Sequence, residues 1–435
     1  MFFLFAVPEL WKTSLTALIG ILTLIGITTR PFRWNEAVIA MGGAGVLLVL
    51  GLITPVDALV TVIRDWNTFL FFLGMMGLSA LAETAGLFDW MAVQAAQSAG
   101  KSAARLFLNI FLLGSLISMI LSNDATALIL TPVVYVLVTK LRLPVLPFLF
   151  ACTFIADTAS FLLPISNPIN IIILSRFPLD LFTFLRLLFI PSLVVIGLNI
   201  GIFFWLYRRQ LTESFDVKRL PSAEQAIEHP AYFKYTCRVL GLVVVAYVLA
   251  SATNFPLSLV ALAGAAALLL GAIFWQRTTV KETGKRISWS IFGFIAGMII
   301  IVRSIEDTGL TTAFGSWLLH LSGGTSGGAV IVGTVGAALG TNLINNVPMA
   351  VVMTSALSTM QHAPTAIQHG FLAATIFGCD LGPNLTTVGS LATVLWLLIL
   401  RRRGVEVSGL DYFKVGVVVT PIMLLAGALT IWLLL

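Results

Sequence analysis

The sequence predicts an all-α polytopic membrane protein built from two inverted-topology repeats, with about ten transmembrane helices, two re-entrant helical hairpins and two broken helices. Three observations lead to this prediction. Apolar residues run almost unbroken over helix-length stretches, four short motifs recur at a nearly constant spacing, and two long apolar segments are interrupted by polar residues and prolines. Together they indicate the composition class, the internal symmetry and the topology of the chain.

The apolar composition decides the class of protein. Of the 435 residues 58% are apolar and 10% are charged, whereas a soluble domain has about 45–50% and about 25%. Runs such as 37–53 and 415–435 have the length of a membrane-spanning helix, which needs ~20 residues. A transmembrane barrel would alternate apolar and polar residues instead. The composition therefore excludes a soluble enzyme, a disordered chain, a nucleic-acid-binding protein and a transmembrane barrel.

Turns and clusters of charge divide the apolar sequence into segments of predicted helix. Their approximate bounds are 12–29, 35–53, 67–85, 103–121, 125–140, 144–176, 183–207, 237–253, 256–275, 288–305, 326–341, 348–361, 364–400 and 411–434. Two further short helices, near 87–98 and 310–321, follow Gly86 and Gly309. We predict that these two lie at the membrane interface.

The longest polar stretch separates two apolar halves. It contains six cationic residues: Arg208, Arg209, Lys218, Arg219, Lys234 and Arg238. This stretch runs from Tyr207 to Arg238, and most of it is predicted to be a linker. The chain therefore divides into an N-terminal half (1–207), a central linker (208–236) and a C-terminal half (237–435).

Four motifs of the first half recur in the second. The spacing is 223 residues for Glu83 and Glu306, for Gly86 and Gly309, and for Asp157 and Asp380, and 222 residues for Asn123 and Asn345. In this register Asp124 corresponds to the neutral Asn346. Agreement within one residue indicates two structural repeats, roughly 35–207 and 257–434.

Within each repeat, one segment is predicted to form a hairpin and the next to form a broken helix. The segments 103–140 and 326–361 are apolar on both sides of a polar tip, as expected of a hairpin that returns to its starting side. The segments 144–176 and 364–400 exceed one ordinary span and are interrupted near their middle. Broken helices are typical of secondary transporters, which bind substrate and ions at the breaks near the membrane midplane.

The distribution of cations predicts the orientation in the membrane. Ten crossings and two hairpins leave both termini on one side, and the opposite side collects 20 of the 25 Lys and Arg residues. The other five are Lys12, Arg64, Arg176, Arg186 and Arg303. Cationic loops are normally cytoplasmic, so we expect a cytoplasmic linker and both termini outside. One repeat then enters from outside and the other from the cytoplasm, which favours a carrier over a channel.

Three acidic residues lie inside the predicted hydrocarbon region, where ionisable groups are costly and usually functional. They are Asp124 at the first hairpin tip and Asp157 and Asp380 at the two breaks. We predict that all three bind protons, an ion or a substrate hydroxyl. The bland alternative is that they only cap half-helices.

Uncharged polar side chains gather at the same tips and breaks. The candidates for binding a small solute are Asn123, Asp124, Thr126, Ser166, Asn167, Asn345, Asn346, Asn384 and Ser390. Amides and hydroxyls together with half-helix N-termini suit a small neutral hydroxylated solute or a dehydrated cation better than a multivalent anion. About half of these residues are explained equally well by the need to satisfy irregular backbone.

Other chemistries find little support in the sequence. Cys152, Cys237 and Cys379 have no repeat-related partner and form no CxxC motif, so we predict neither a metal nor a redox site. No phosphate-binding loop, cofactor motif or nucleophile–base set is present, and we predict no enzyme and no cofactor. Glu83 and Glu306 are expected to be interfacial, with Arg303 paired to Glu306 one turn away.

The motifs at the tips and breaks resemble those of the arsenite efflux permease family, the membrane subunit of the arsenical pump. The resemblance lies in Ser122-Asn-Asp-Ala-Thr-Ala-Leu-Ile-Leu-Thr-Pro132, Phe154-Ile-Ala-Asp-Thr-Ala-Ser160, Asn345-Asn-Val-Pro348, Gly378-Cys-Asp-Leu-Gly-Pro-Asn384 and Gly389-Ser-Leu-Ala-Thr393. It extends over nearly the whole chain and is specific within the wider ion transporter superfamily.

The resemblance implies a transporter of the inner membrane that exports arsenite and antimonite as neutral trihydroxides in exchange for protons. It also implies a scaffold and a mobile transport domain, and in some members a soluble arsenical ATPase on the cytoplasmic face. Asp157, Asp380 and Asp124 would couple protons, and the amide and hydroxyl residues would bind substrate.

Two alternatives remain open on the sequence. One has the same fold and is a Na+/H+ antiporter or a carrier for another small oxyacid. The other is a passive channel or a membrane-embedded enzyme. Paired inverted hairpins argue against a channel, which needs a permanently wet pore, and the absence of a nucleophile–base set argues against an enzyme.

Overall fold

The computed structural model describes residues 6–29, 34–216, 220, 222–253 and 255–435. Arg30, Arg33, Lys218 and Arg219, which contribute to the predicted charge asymmetry, lie outside these residues. The regular structure in the described ranges is helical apart from one isolated bridge between Ser102 and Ser214. The predicted all-α class is therefore confirmed.

The helices of the first half alternate between long spans and short interrupted pieces. They are α1 (Ala6–Thr29), α2 (Glu36–Val49), α3 (Pro55–Arg64), α4 (Trp66–Thr84), α5 (Leu87–Ser98), α6 (Ala103–Ile120), α7 (Asn123–Ala125), α8 (Thr131–Lys140), α9 (Val145–Thr158), α10 (Pro168–Arg176) and α11 (Leu181–Tyr207). A π-helical segment, Thr126–Leu130, joins α7 to α8.

The second half repeats this order. Its helices are α12 (Pro230–Ala252), α13 (Leu257–Phe274), α14 (Val280–Arg286), α15 (Ser290–Asp307), α16 (Leu310–Leu321), α17 (Ser326–Ile344), α18 (Asn346–Leu357), α19 (Thr365–Leu381), α20 (Leu391–Arg402) and α21 (Gly409–Leu434). Short 3₁₀ segments lie at Ala223–Ala226, Ser358–Met360 and Gly382–Leu385.

The repeat extends beyond its predicted limits. Helix α1 packs on α2 just as α12 packs on α13, so each repeat begins one helix earlier than positions 35 and 257. Helices α1 and α12 carry none of the polar motifs that reveal the repeat in the sequence. In contrast, the starts of the short helices α5 and α16 were well marked, because Gly86 and Gly309 precede them with φ of 77° and 79°.

The two repeats run in opposite directions through the molecule. Asp65 before α4 and Glu306 near the end of α15 line the same cavity. At the other extremity, Glu83 at the end of α4 lies 3.1 Å from Arg286, just before α15. Helices α4 and α15 are therefore antiparallel, as an inverted repeat requires.

Helices from both halves interlock to form the central packing. Helix α2 packs against α15 and α4 packs against α13, so each pair contains one helix from each half. A glycine lies at both crossings: a Cβ at Gly74 would lie 2.7 Å from the backbone carbonyl carbon of Ala261, and one at Gly297 would lie 2.6 Å from that of Ala40. The helices can approach this closely only because these side chains are absent.

The predicted hairpins and broken helices are both present. Helix α9 ends at Thr158 and α10 begins at Pro168, while α19 ends at Leu381 and α20 begins at Leu391. Proline fits the first position of α10 because a helix leaves that N–H unpaired. The two breaks lie at equivalent positions of the repeats, and both hairpin tips lie beside them.

Helix length and hydropathy set the number of candidate spans. In the described ranges seven helices are long and apolar enough to cross a membrane, and up to nine spans result if α3 with α4 and α14 with α15 each count as one bent span. These pairs bend by 51° and 52°. The prediction of about ten crossings leaves out α6 and α17, which are arms of the two hairpins, and adds the shorter α2 and the two broken helices. The chain is thus a multi-pass membrane protein.

Candidate functional site

Four half-helices begin at the centre of the molecule, and each has a side-chain cap. The caps are Ser122 for α7, Asn167 for α10, Asn345 for α18 and Ser390 for α20. Their oxygens accept hydrogen bonds from backbone N–H groups at 3.0–3.4 Å. The four helix N-termini lie together at the tips and breaks. Helix N-termini carry partial positive charge, so this region is suited to oxygen-rich solutes.

Each hairpin tip is bound to the break of its own repeat. The N–H of Asn123 donates to the carbonyl oxygen of Ser166 at 3.2 Å, and the N–H of Asn346 donates to that of Gly389 at 2.9 Å. These equivalent bonds show that Asn123 corresponds to Asn346, a spacing of 223 residues. The predicted pairing of Asp124 with Asn346 is therefore wrong by one residue, and Asp124 corresponds to Val347.

The two break acids are buried and are held by asparagines. Asp157 is 1% exposed and its Oδ1 accepts from Asn123 Nδ2 at 3.2 Å. Asp380 is 0% exposed and its Oδ1 accepts from Asn167 Nδ2 at 2.6 Å. The second bond joins the first repeat's break to the second repeat's acid.

Each of these carboxyl groups has one oxygen without a partner. The Oδ2 atoms of Asp157 and Asp380 are buried and accept no hydrogen bond within the described part of the chain, and no Lys or Arg there forms an ion pair with either acid. A buried carboxylate without a cation is costly. The two acids are therefore suited to take up a proton or another cation.

A small central cavity lies between the tips, the breaks and helices α4 and α15. Its polar wall is formed by Asn123, Asp124, Asn167, Asn346 and Ser390. Its apolar wall includes Phe72, Ile291 and Phe294. The cavity volume is about 30 Å³, room for about two water molecules. No Lys or Arg of the described residues lines it.

A larger cavity of about 340 Å³ leads from this centre to the end of α4. We call it the Glu83-side cavity, because it lies between α4 and the first hairpin and reaches Glu83 and Arg286. It shares Asp124 and Pro168 with the central cavity. The half-buried Asp124 thus contacts both spaces.

The two break acids do not line the central cavity themselves, and neither do four of the residues predicted to bind substrate. The hydroxyl of Thr126 lies 2.8 Å from that of Ser118, Ser166 donates to the Met119 carbonyl at 3.1 Å, and Asn384 donates to the Phe154 carbonyl at 3.2 Å. Asn345 lines a separate cavity of about 20 Å³ and donates to the Val388 carbonyl at 3.2 Å. These side chains satisfy irregular backbone or neighbouring polar groups.

Two kinds of residue at the site were not anticipated. The apolar wall of Phe72, Ile291 and Phe294 comes from helices whose sequences show only generic hydrophobicity. Asn199 of α11 donates to Thr158 Oγ1 at 2.8 Å beside the break. A single asparagine within a long apolar span was the available signal for this contact.

The remaining polar predictions concern thiols and surface ion pairs. Cys152 and Cys379 are buried, Cys237 is exposed, all three are free, and none lines the central cavity or the Glu83-side cavity. The predicted ion pair of Arg303 with Glu306 is confirmed at 3.5 Å.

Comparisons with known proteins agree over nearly the full length. A family model described as "Arsenical pump membrane protein" matches residues 15–434. An arsenical pump membrane protein of Escherichia coli K12 is 31% identical over 414 residues, covering 93% of this chain and 95% of the relative. A putative arsenical pump membrane protein of Bacillus subtilis is 26% identical, with 93% and 95% coverage.

The similarity in fold reaches further than the similarity in sequence. The crystal structure of the Alcanivorax borkumensis YdaH transporter superposes with a TM-score of 0.60 at 14% identity, covering 97% of this chain and 98% of that one. At this level of identity the match supports the fold alone.

Proposed function

The chain belongs to the arsenical pump membrane protein family, and from this premise we propose that it exports arsenite and antimonite from the cytoplasm in exchange for protons. The observation that supports this most is the central cavity, which is lined by uncharged donors and acceptors and by no Lys or Arg of the described residues. Two of its asparagines, Asn123 and Asn167, donate hydrogen bonds to the buried acids Asp157 and Asp380 behind them.

The cavity chemistry fits a neutral triol. Arsenite at neutral pH is largely As(OH)3, whose hydroxyls both donate and accept hydrogen bonds. Asn123, Asn167 and Asn346 offer amide groups that also do both, and Ser390 adds a hydroxyl. A carboxylate substrate would call for an Arg or Lys in the lining. This supports arsenite over a dicarboxylate.

The two break acids support the proposed proton coupling. A carboxylate is the better acceptor for substrate hydroxyls, so protonation of Asp157 or Asp380 competes with substrate. Binding of one ligand then favours release of the other, which is the differential affinity that exchange requires. We assign proton coupling to Asp157 and Asp380, with Asp124 as an accessory group that contacts the Glu83-side cavity.

The same proposal covers the organisation in the membrane. The two halves, 1–207 and 237–435, would form one carrier in the inner membrane, with the linker 208–236 in the cytoplasm and both termini outside. A soluble arsenical ATPase would dock on the cytoplasmic face. Purified protein in liposomes tests whether this partner is needed for exchange.

Uptake into inverted vesicles tests the proposed exchange. Radiolabelled arsenite should accumulate when the vesicle interior is made acidic, and collapsing the pH gradient should abolish accumulation. A Na+ gradient of equal size should have no effect. Dissipation of the pH gradient by added Na+ without arsenite uptake would support the Na+/H+ alternative, and arsenite uptake independent of both gradients would support a channel.

Truncation of one cavity amide should weaken arsenite binding. Asn123→Ala removes a polar group that faces the cavity and contacts Asp157. The expected loss is about 1–3 kcal/mol, the cost of leaving a buried polar partner unpaired. Arsenite affinity is measured by protection against thermal unfolding.

The matched control is Asn109→Ala, which removes an amide on α6 that donates to the Ala95 carbonyl and lines neither the central cavity nor the Glu83-side cavity. It should leave arsenite affinity unchanged. Equal affinities for the parent protein and the Asn123 variant would place the substrate elsewhere.

The linker should be accessible only from the cytoplasm. Ser222 is exposed and caps the 3₁₀ segment Ala223–Ala226, so a cysteine there should react with a membrane-impermeant maleimide in inverted vesicles but not in intact cells. Cys237 is exposed and is first replaced by Ser. Labelling of intact cells would contradict the proposed orientation.

A further inference from the structure

Two gaps related by the repeat lie beside the central cavity, one between α4 and the first hairpin and the other between α15 and the second hairpin. They differ in how exposed their walls are. At the first gap, Met76 of α4 and Leu128 of the π-helical segment line the Glu83-side cavity and are partly exposed. Their repeat equivalents, Ile299 of α15 and Val351 of α18, are 1% and 2% exposed. Helix α18 packs on α15, which closes the corresponding gap. The gap at the Glu83 end is therefore open. At the Glu306 end, the cavity of about 460 Å³ that Arg176 and Glu306 line does not reach Ile299 or Val351, so the gap between α15 and the second hairpin is closed.

At the closed gap, an ion pair connects the two walls. Arg176, the last residue of α10, lies 2.8 Å from Glu306 near the end of α15, through Nη1 and Oε1. The side chains are 27% and 16% exposed. Arg303 also contacts Glu306 at 3.5 Å and contacts Asp307 at 2.7 Å. Helix α10 packs on α18, so Arg176 belongs to the hairpin's side of the gap.

The equivalent acid at the open gap makes a different kind of contact. Glu83, the repeat equivalent of Glu306, pairs with Arg286 at 3.1 Å, and both side chains are about half exposed. Arg286 ends α14, which packs on α4. This ion pair therefore stays on one wall and does not cross the gap. Only the closed end has an acid bound across the gap within the described part of the chain.

We propose that the Arg176–Glu306 ion pair is a latch that holds this end of the transporter closed and breaks when the end opens. The inference rests on the proposed function, because it assigns the latch to one half of an exchange cycle. Glu306 belongs to α15, and Arg176 is the last residue of α10, whose first residues, Pro168 and Ile169, line the central cavity. The latch therefore couples a movement of α10 at the central cavity to access from the Glu306 end.

Labelling rates of two reporter cysteines test the latch without arsenite. Met76→Cys and Ile299→Cys are made separately in the full chain with Cys237→Ser and placed in nanodiscs, where both faces are accessible. Glu306→Gln should raise the rate at Ile299→Cys with a water-soluble maleimide about fivefold, the effect of a partly exposed ion pair. The rate at Met76→Cys should not rise, whereas a generally loosened fold would raise both.

Three further variants isolate the ion pair. Arg176→Gln should reproduce the effect, and combining it with Glu306→Gln should add nothing, because the two residues act as one unit. Exchanging the charges, Arg176→Glu with Glu306→Arg, should restore slow labelling. Asp307→Asn, which removes another partner of Arg303 but leaves Arg176 and Glu306 in place, should change nothing.

Unchanged labelling at Ile299→Cys in Glu306→Gln, an equal rise at both reporters, or failure of the charge exchange would overturn the latch. The labelling assay contains no arsenite, so its result does not depend on the proposed substrate. If the protein failed to transport arsenite in vesicles but gave the expected labelling rates, the proposed function would be wrong and the latch would stand.

Discussion

Replacing either break acid should abolish proton-coupled arsenite export. Asp157→Asn and Asp380→Asn keep the size of the side chain and an oxygen that can accept from Asn123 or Asn167, but an amide neither carries charge nor binds a proton reversibly. Without that exchange, protonation no longer competes with substrate. Arsenite uptake into inverted vesicles with an imposed pH gradient should fall to the level of vesicles without the protein.

A neighbouring buried residue provides the control. Cys379 lies next to Asp380 and is 0% exposed, and Cys379→Ser should keep most of the transport because no thiol lines the central cavity. Asp124→Asn should reduce transport less than the break variants, since Asp124 is only half-buried and faces the larger cavity. If Cys379→Ser abolished arsenite transport while Asp157→Asn and Asp380→Asn both remained active, the mechanism would depend on the thiol and not on the two acids.

A side chain at either close helix crossing should destabilise the whole protein. Gly74→Val or Gly297→Val places a Cβ within 2.7 Å of the facing backbone on α13 or α2, and backbone cannot move aside as a flexible side chain can. The loss should be about 3 kcal/mol, at the upper end for an overpacked core. Thermal unfolding of the purified protein in detergent measures the effect.

Gly42→Val is the matched control. Gly42 also lies within a membrane helix, α2, but nothing lies within 4 Å of a Cβ built on it, and valine there should leave the unfolding midpoint within a degree or two of the parent. A normal midpoint for Gly74→Val and Gly297→Val would show that α4 with α13 and α15 with α2 can separate at little cost.

The sequence was informative where physical constraints leave a local trace. Charged and proline-rich interruptions in apolar segments marked both broken helices, because unpaired backbone in hydrocarbon needs polar partners. Gly86 and Gly309 marked the start of α5 and α16, and a spacing of three residues marked the contact of Arg303 with Glu306. These features depend on neighbours along the chain.

The remaining features depend on contacts between distant residues. Whether an asparagine faces the cavity or a carbonyl is set by packing, so Asn167 and Asn384 look alike in sequence but have different partners. The register of the hairpin tips required the hydrogen bonds of Asn123 and Asn346 to the breaks. The apolar cavity wall could not be distinguished from lipid-facing residues, because both are simply hydrophobic.

The interlocked helices have a consequence for how the protein is made. Gly74 of α4 packs against Ala261 of α13, but α4 leaves the ribosome about 190 residues before α13. At ordinary synthesis rates this is a delay of about 10–40 s. Helix α2 waits longer for α15. During this interval the first half resides in the membrane with its tightest contact surfaces facing lipid or an insertion chaperone. Biogenesis, and not the finished fold, is therefore the stage at which the first half is most exposed to quality-control proteolysis.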